Sequence, residues 1–163
     1  MIIVEDGSGV VGANSYADIT TARAFASNRG VQLSTVDSDV ETLLTKAMDY
    51  LEALRAEYKG KKVFAATQWP RTGVYIDGVL QSETSIPIEL VNAQCQLVLE
   101  QHNGVVISPT RKDPFVTFEK IGPIETKYSE NVAASVFPDM SAVDNWLAVL
   151  ITDYNCQLRT LRI

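Results

Sequence analysis

From Ser38 to Tyr58 the chain reads SDVETLLTKAMDYLEALRAEY, and Val40, Leu43, Leu44, Ala47, Met48, Leu51 and Leu54 recur at i, i+3, i+4 and i+7. That spacing lays an apolar stripe along one face of a helix. Glu41, Lys46, Asp49, Glu52, Arg55 and Glu57 take the opposite face. Asp37 or Ser38 suits the start, because a short side-chain oxygen there accepts a free first-turn N–H. Gly60 suits the end, where the backbone turns left-handed. The stripe predicts the longest helix of the chain, and its apolar face must pack on something.

Three shorter helices follow from the same reasoning. Behind Asp18 as cap, Ile19, Ala22, Phe25 and Ala26 share a face and Gly30 is a stop; Thr20 and Thr21 weaken this helix. Pro87 suits a helix's first turn, where its missing N–H costs nothing. After it Ile88, Val91, Cys95, Val98 and Leu99 form a face that Leu90, Ala93 and Leu97 widen, up to Asn103-Gly104. So broad an apolar surface predicts burial on two sides. Ser141 with Asp144 resembles a capping box with Asp in place of Glu, and it opens a fourth helix with Val143, Trp146, Leu147, Leu150 and Ile151 inward.

Elsewhere the period changes to two. Val116, Phe118 and Lys120 alternate with Thr117, Glu119 and Ile121, and after Gly122-Pro123, Ile124, Thr126 and Tyr128 alternate with Glu125 and Lys127. This predicts a β-hairpin at about 115–128, too small to stand alone in water. Met1 to Glu5 reads as extended. Between Val63 and Ser85, proline and glycine forbid a long helix, and Asp77-Gly78 marks at most a tiny hairpin. The fold class is therefore mainly α: one compact domain of about four helices with one protruding β-hairpin, spanning 1–153, and a tail at 154–163.

Composition narrows the chemistry. At 163 residues with 46% hydrophobic positions, the chain can build one domain with a true core. A formal charge of −6 disfavours sequence-independent contact with phosphates. No apolar run approaches the roughly 20 residues that span a bilayer, and MIIVEDGSG lacks the pattern of a secretory signal. Cys95 and Cys156 do not make a disulfide framework, so a cytoplasmic, reducing setting is the simplest expectation. Gly7-Ser8-Gly9-Val10-Val11-Gly12 matches GxGxxG literally. The strand–helix alternation that gives that motif its pyrophosphate site is missing, so it reads as a flexible surface loop. Lys59-Gly60-Lys61-Lys62 could touch phosphate, but as a helix C-terminus it more simply complements the dipole. His102 is the only histidine, so no histidine-based metal cluster can form. GxSxG and HExxH are absent. A catalytic residue, a cofactor and a metal are therefore not expected.

Several segments together resemble the head-to-tail adaptor (connector) proteins of long-tailed bacteriophages, a family in which some members carry the label DnaT-like single-stranded DNA-binding protein. They are Val4-Glu5-Asp6-Gly7 with Ala13-Asn14-Ser15-Tyr16, the helix with Ala47, Asp49, Tyr50 and Leu51, Trp69-Pro70-Arg71-Thr72-Gly73-Val74, Ile86-Pro87, and Ile121-Gly122-Pro123-Ile124 with Tyr128. Trp69 to Val74 is the most specific piece. The resemblance implies a structural virion neck protein that forms a ring, a dodecamer in the virion, and is not an enzyme. It would sit at the head–tail interface after assembly in the bacterial host cytoplasm. Its partners would be itself, the portal protein and a tail terminator or other neck protein. Genomic DNA would pass through without specific binding, and no membrane is involved. The resemblance places portal docking on Tyr154, Leu158, Arg159, Leu161, Arg162 and Ile163, in a tail without acidic side chains from Tyr154 onward. It places a subunit interface on Phe118, Lys120, Ile121, Ile124 and Tyr128. Trp69, Pro70, Arg71 and Gly73 would shape a loop. The alternative is single-stranded DNA binding, through Lys59, Lys61 and Lys62 near Trp69 and Arg71.

Overall fold

Leu90, Ala93, Leu97 and Val98 are sealed from solvent, and so are Gln94 and Cys95 between them. They belong to α3 (Ile88–His102), which packs against α1 (Ile19–Ser27), α2 (Asp37–Ala53) and α4 (Ser141–Leu147). A helix touched from three directions is the burial on two sides that its composition predicts. The computed structural model describes residues 1–107 and 140–152, and the backbone of 116–121 and 124–128. Between the helices lie three two-stranded antiparallel sheets. They pair β1 (Lys61–Lys62) with β2 (Arg71–Thr72), β3 (Tyr75–Ile76) with β4 (Val79–Leu80), and β5 (Val116–Ile121) with β6 (Ile124–Tyr128).

The expected α-helical domain with a hairpin is present. In β5–β6, Ile121 pairs with Ile124 and Val116 with Tyr128, and the ladder slips once where Phe118 faces both Thr126 and Lys127. Such a bulge leaves one residue unpaired and increases the local twist. The small β3–β4 hairpin turns at Asp77-Gly78, as that dipeptide predicts. α1 starts as expected, with Asp18 Oδ1 accepting from Thr21 N–H at 2.6 Å.

Other helix ends differ from the sequence reading. Neither Asp37 nor Ser38 caps α2; Val36 holds the cap position, and Ser34 Oγ accepts the Val36 N–H at 3.1 Å while donating to Asp39 at 2.7 Å. Asp37 and Asp39 fall in the first turn, where negative charge suits the helix dipole. Ser141 is not a cap either, because the buried Met140 occupies that position and its carbonyl takes the Val143 and Asp144 N–H groups. Ile88 is 62% exposed, the first turn of α3 lying outside the core.

The largest difference is where α2 stops. It ends at Ala53, well short of Gly60. The chain turns back so that Tyr58 is buried, with its hydroxyl donating to Leu51 O at 3.0 Å. Residues 57–59 then pair with the segment that follows α4: Thr152 N–H donates to Glu57 O, Lys59 N–H to Leu150 O, and Tyr58 bridges Ile151 antiparallel. Burying Tyr58 and capturing that strand outweigh further helix. Lys61 and Lys62 accordingly stand in β1, not at a helix C-terminus.

Gln94, fully buried at the middle of α3, joins the pieces. Its Oε1 accepts Tyr16 N–H at 2.8 Å, and its Nε2 donates to Ser15 Oγ and Leu44 O, both at 3.0 Å. Leaving such groups unpaired in a dry interior costs about 1–3 kcal/mol apiece. Gln94→Ala is expected to destabilise the fold by about 3 kcal/mol, lowering the melting temperature by roughly 10 °C in a circular-dichroism melt. Gln96→Ala, which removes a bond to Glu100 one turn along the same helix, should cost less than about 1 kcal/mol.

Candidate functional site

The most specific motif of the sequence, Trp69 to Val74, is built into the interior. Trp69 is 1% exposed and meets Tyr58 edge to face, with ring centroids 5.6 Å apart. Its backbone N–H donates to Tyr16 Oη at 3.2 Å, and Thr67 Oγ1 donates to its carbonyl. Tyr16 Oη donates in turn to Glu52 Oε1 at 2.5 Å, and the Glu52 carboxylate also accepts Gln68 N–H. The Trp69–Pro70 peptide is cis, Pro70 is buried, and its carbonyl accepts Val63 N–H. Gly73 has φ +74°, a turn that a side chain would strain.

Arg71 is 7% exposed. Its Nε donates to Lys59 O at 2.7 Å, its Nη2 to Gly60 O at 3.0 Å and Tyr58 O at 3.4 Å, and its Nη1 to Gln68. The guanidinium lies 5.7 Å from the Tyr58 ring centroid. Burial lowers its pKa, although arginine stays charged at any ordinary pH. A planar fork of five donors suits several carbonyls on one curved stretch. This arrangement folds residues 58–60 around the cation and leaves no donor aimed at solvent for a ligand.

The basic cluster is divided by the fold. Lys59 Nζ donates to Val149 O at 2.9 Å and is half-buried; Lys61 is exposed, and Lys62 is half-buried opposite Arg71 in the β1–β2 pair. Trp69 and Arg71, the aromatic and the arginine that a DNA groove would use, are thus brought beside the lysines but turned inward. The accessible aromatics of this region are Tyr75, 58% exposed, and the half-buried Phe64.

The glycine-rich loop holds a surprise of its own. Glu5, 1% exposed, directs its carboxylate into it: Oε1 accepts Gly7 and Gly9 N–H, and Oε2 accepts Val10 N–H, each at 2.9 Å. Successive N–H groups form an anion-binding concavity, and here the anion belongs to the chain. The loop is therefore pinned, not the free surface loop that the sequence suggests. A glutamate two residues before Gly-x-Gly was the available signal.

His102 is exposed in the last turn of α3, and Cys95 is buried seven residues earlier, about 10 Å along the axis. Burial pushes the Cys95 thiol up to about 12, so it is a poor nucleophile. Cys156 and the docking candidates Tyr154, Leu158, Arg159, Leu161, Arg162 and Ile163 lie outside the described residues. Of the hairpin candidates Phe118, Lys120, Ile121, Ile124 and Tyr128, the backbone pairing alone is described. Among the described residues, no group of three or more His, Cys, Asp or Glu could hold a metal, and no helix is long and apolar enough to cross a membrane.

Burial raises the pKa of Tyr16, Tyr50 and Tyr58, that of Tyr50 to about 12, with Asp144 and Glu57 adding to the rise at Tyr50. Unfolded tyrosines ionise near pH 10. The folded chain keeps these protons longer, so their contribution is complete below about pH 10 and falls away as pH rises through 12. The urea midpoint is expected to drop steeply over that interval. Arg71→Lys should cost about 3 kcal/mol of stability, because one ammonium cannot serve the carbonyls of 58, 59 and 60; Lys61→Ala should stay within about 0.5 kcal/mol.

A family model described as "Putative DnaT-like ssDNA binding protein" matches residues 1–163. No curated protein and no solved structure matches the chain. The family's description fits the single-stranded DNA alternative better than the virion-neck reading, and none of the comparisons points to a head-to-tail adaptor family.

Proposed function

The chain belongs to that DnaT-like family, and from this premise we propose that it works by association and without catalysis, as a structural subunit of a virion neck. Copies assemble into a ring that joins a portal to further neck or tail proteins, and DNA passes through the ring unbound. The observation that carries this reading is the β5–β6 hairpin, which among the described residues has two strands and no third. Two strands are marginal in water and gain stability by packing against something more; a neighbouring subunit supplies that surface in a closed ring. Two further features support it. The loop most specific to the resemblance buries its tryptophan and spends its arginine on internal bonds. A formal charge of −6 suits a conduit along which DNA slides. Docking on the portal falls to residues 154–163.

The family's description favours a second reading, single-stranded DNA binding. Its contacts would be the lysines of β1 with Tyr75 and Phe64 as stacking surfaces, since Trp69 is enclosed. One pair of measurements separates the two. On the neck reading, negative-stain images of concentrated protein show rings, and labelled oligothymidine binds no more tightly to the chain than to a Lys61→Glu, Lys62→Glu variant. Salt-dependent oligonucleotide binding that this variant abolishes, with the chain monomeric throughout, would replace the neck reading by the second.

A further inference from the structure

Residues 7–12 form a strap that carries the exposed Val11. Glycine stands at both ends, Gly7 at φ +103° and Gly12 at +78°, and again inside at Gly9 with +81°. Glycine takes such angles without strain and moves through them freely. The strap lies close against two other segments. A β-carbon on Gly7 would collide with the Thr84 carbonyl and stand 2.8 Å from Ser85 Cα. One on Gly9 would stand 2.8, 2.9 and 3.0 Å from Cγ, Cδ1 and Cδ2 of Phe64. The Cβ of Phe64 itself blocks any approach to Cγ within the ring plane, so these near-equal distances place Gly9 over a face of the ring.

The bonds that shape the strap do not run to those segments. Gly7, Gly9 and Val10 N–H donate to the Glu5 carboxylate, Ser8 N–H to Asp6 Oδ1 at 2.9 Å, and Ala13 N–H to Val10 O at 3.2 Å. Thr84 and Ser85 bond to Ser82 instead. Against Phe64, Thr84 and Ser85 the strap has contact alone. Glu5 is anchored from its other side, where its N–H donates to the carbonyl of buried Ser15 at 2.8 Å, and Ser15 Oγ accepts from Gln94. The carboxylate therefore stands at a fixed point of the core, and three N–H groups of the strap converge on it.

We propose that residues 7–12 are a strap latched by Glu5, closed over one face of Phe64 and against Thr84–Ser85, and that it opens at its glycines as one unit while the helices stay folded. Three charge-assisted bonds make the closure, and all three end on one side chain, so they break together. The core does not depend on them: Gln94 ties Tyr16, Ser15 and Leu44 without the Glu5 carboxylate. Local opening of such a unit, below the cost of global unfolding, is how a fold exposes a surface on demand. What the strap uncovers is the ring of Phe64 and the segment that leads into α3. The proposal is independent of both readings of function.

NMR with native-state hydrogen exchange on the full-length chain tests this. The Phe64 ring current should shift one Gly9 α-proton upfield, and the amides of Gly7, Gly9 and Val10 should exchange through one shared opening, faster than the α3 amides around Gln94. Glu5→Gln and Glu5→Ala should return the Gly9 proton to its ordinary position and speed exchange at the three amides by about tenfold to a hundredfold, with the α3 amides at their native rates. Phe64→Leu should move the Gly9 proton and leave the three exchange rates unchanged. A Gly9 proton that is unshifted in the native chain, or still upfield in both Glu5 variants, would overturn the proposal. So would three amides that open only together with α3, or both Glu5 variants failing to fold, because Glu5 would then hold the whole domain. Exchange that rises as far in Phe64→Leu as in the Glu5 variants would assign the closure to the ring and overturn it too.

Discussion

A single buried amide holds the parts of this protein in register. Gln94 stands in the middle of α3 with no solvent contact and uses its oxygen and nitrogen on Tyr16, Ser15 and Leu44. In a low-dielectric interior such bonds are strong when complete and costly when broken. They fix the N-terminal segment across α2 and α3 at one height. From Tyr16 the polar connection continues outward through its hydroxyl to Glu52 and the Trp69 backbone. Arg71 then gathers residues 58–60, and residues 57–59 pair with the segment that follows α4. The apolar core gives the energy of collapse; this line of hydrogen bonds determines which arrangement of helices the collapse reaches.

The helices were legible because their signals are local. Asp18 caps α1 within three residues, and the breadth of apolar positions in α3 announces a central helix. The Asp77-Gly78 turn is equally self-contained. What stayed hidden depends on distant partners. The pattern Leu51–Leu54 continues helically past Ala53, and nothing nearby reveals that Tyr58 has a better place beside Ile151. Val36 takes the cap position of α2, held there by the bond from its N–H to Ser34 Oγ in the preceding loop. Nothing near Gln94 in sequence reveals that Tyr16, Ser15 and Leu44 will meet it in the interior, and nothing near Arg71 reveals which carbonyls, 11 to 13 residues away, it will bond. Side-chain polarity tells that a group needs partners, not whether water or the protein will provide them.

The same distinction governs function. The residues that would ordinarily signal chemistry are satisfied from within: Glu5 by the glycine-rich loop, Arg71 by the turn it encloses, Cys95 by its apolar surroundings. Among the described residues, Tyr75, Val79, Leu80 and Val106 are some of the large apolar side chains left exposed.

The antiparallel bridge between Tyr58 and Ile151 has a geometric consequence. It nails the backbone at Thr152 to Glu57 on the body of the domain, so residues 153–163 start from a fixed point. Eleven residues extend at most roughly 40 Å. Any groove those residues enter must lie inside a sphere of that radius centred on the bridge. That bound turns a question of affinity into one of distance, measurable on any assembly that contains the chain.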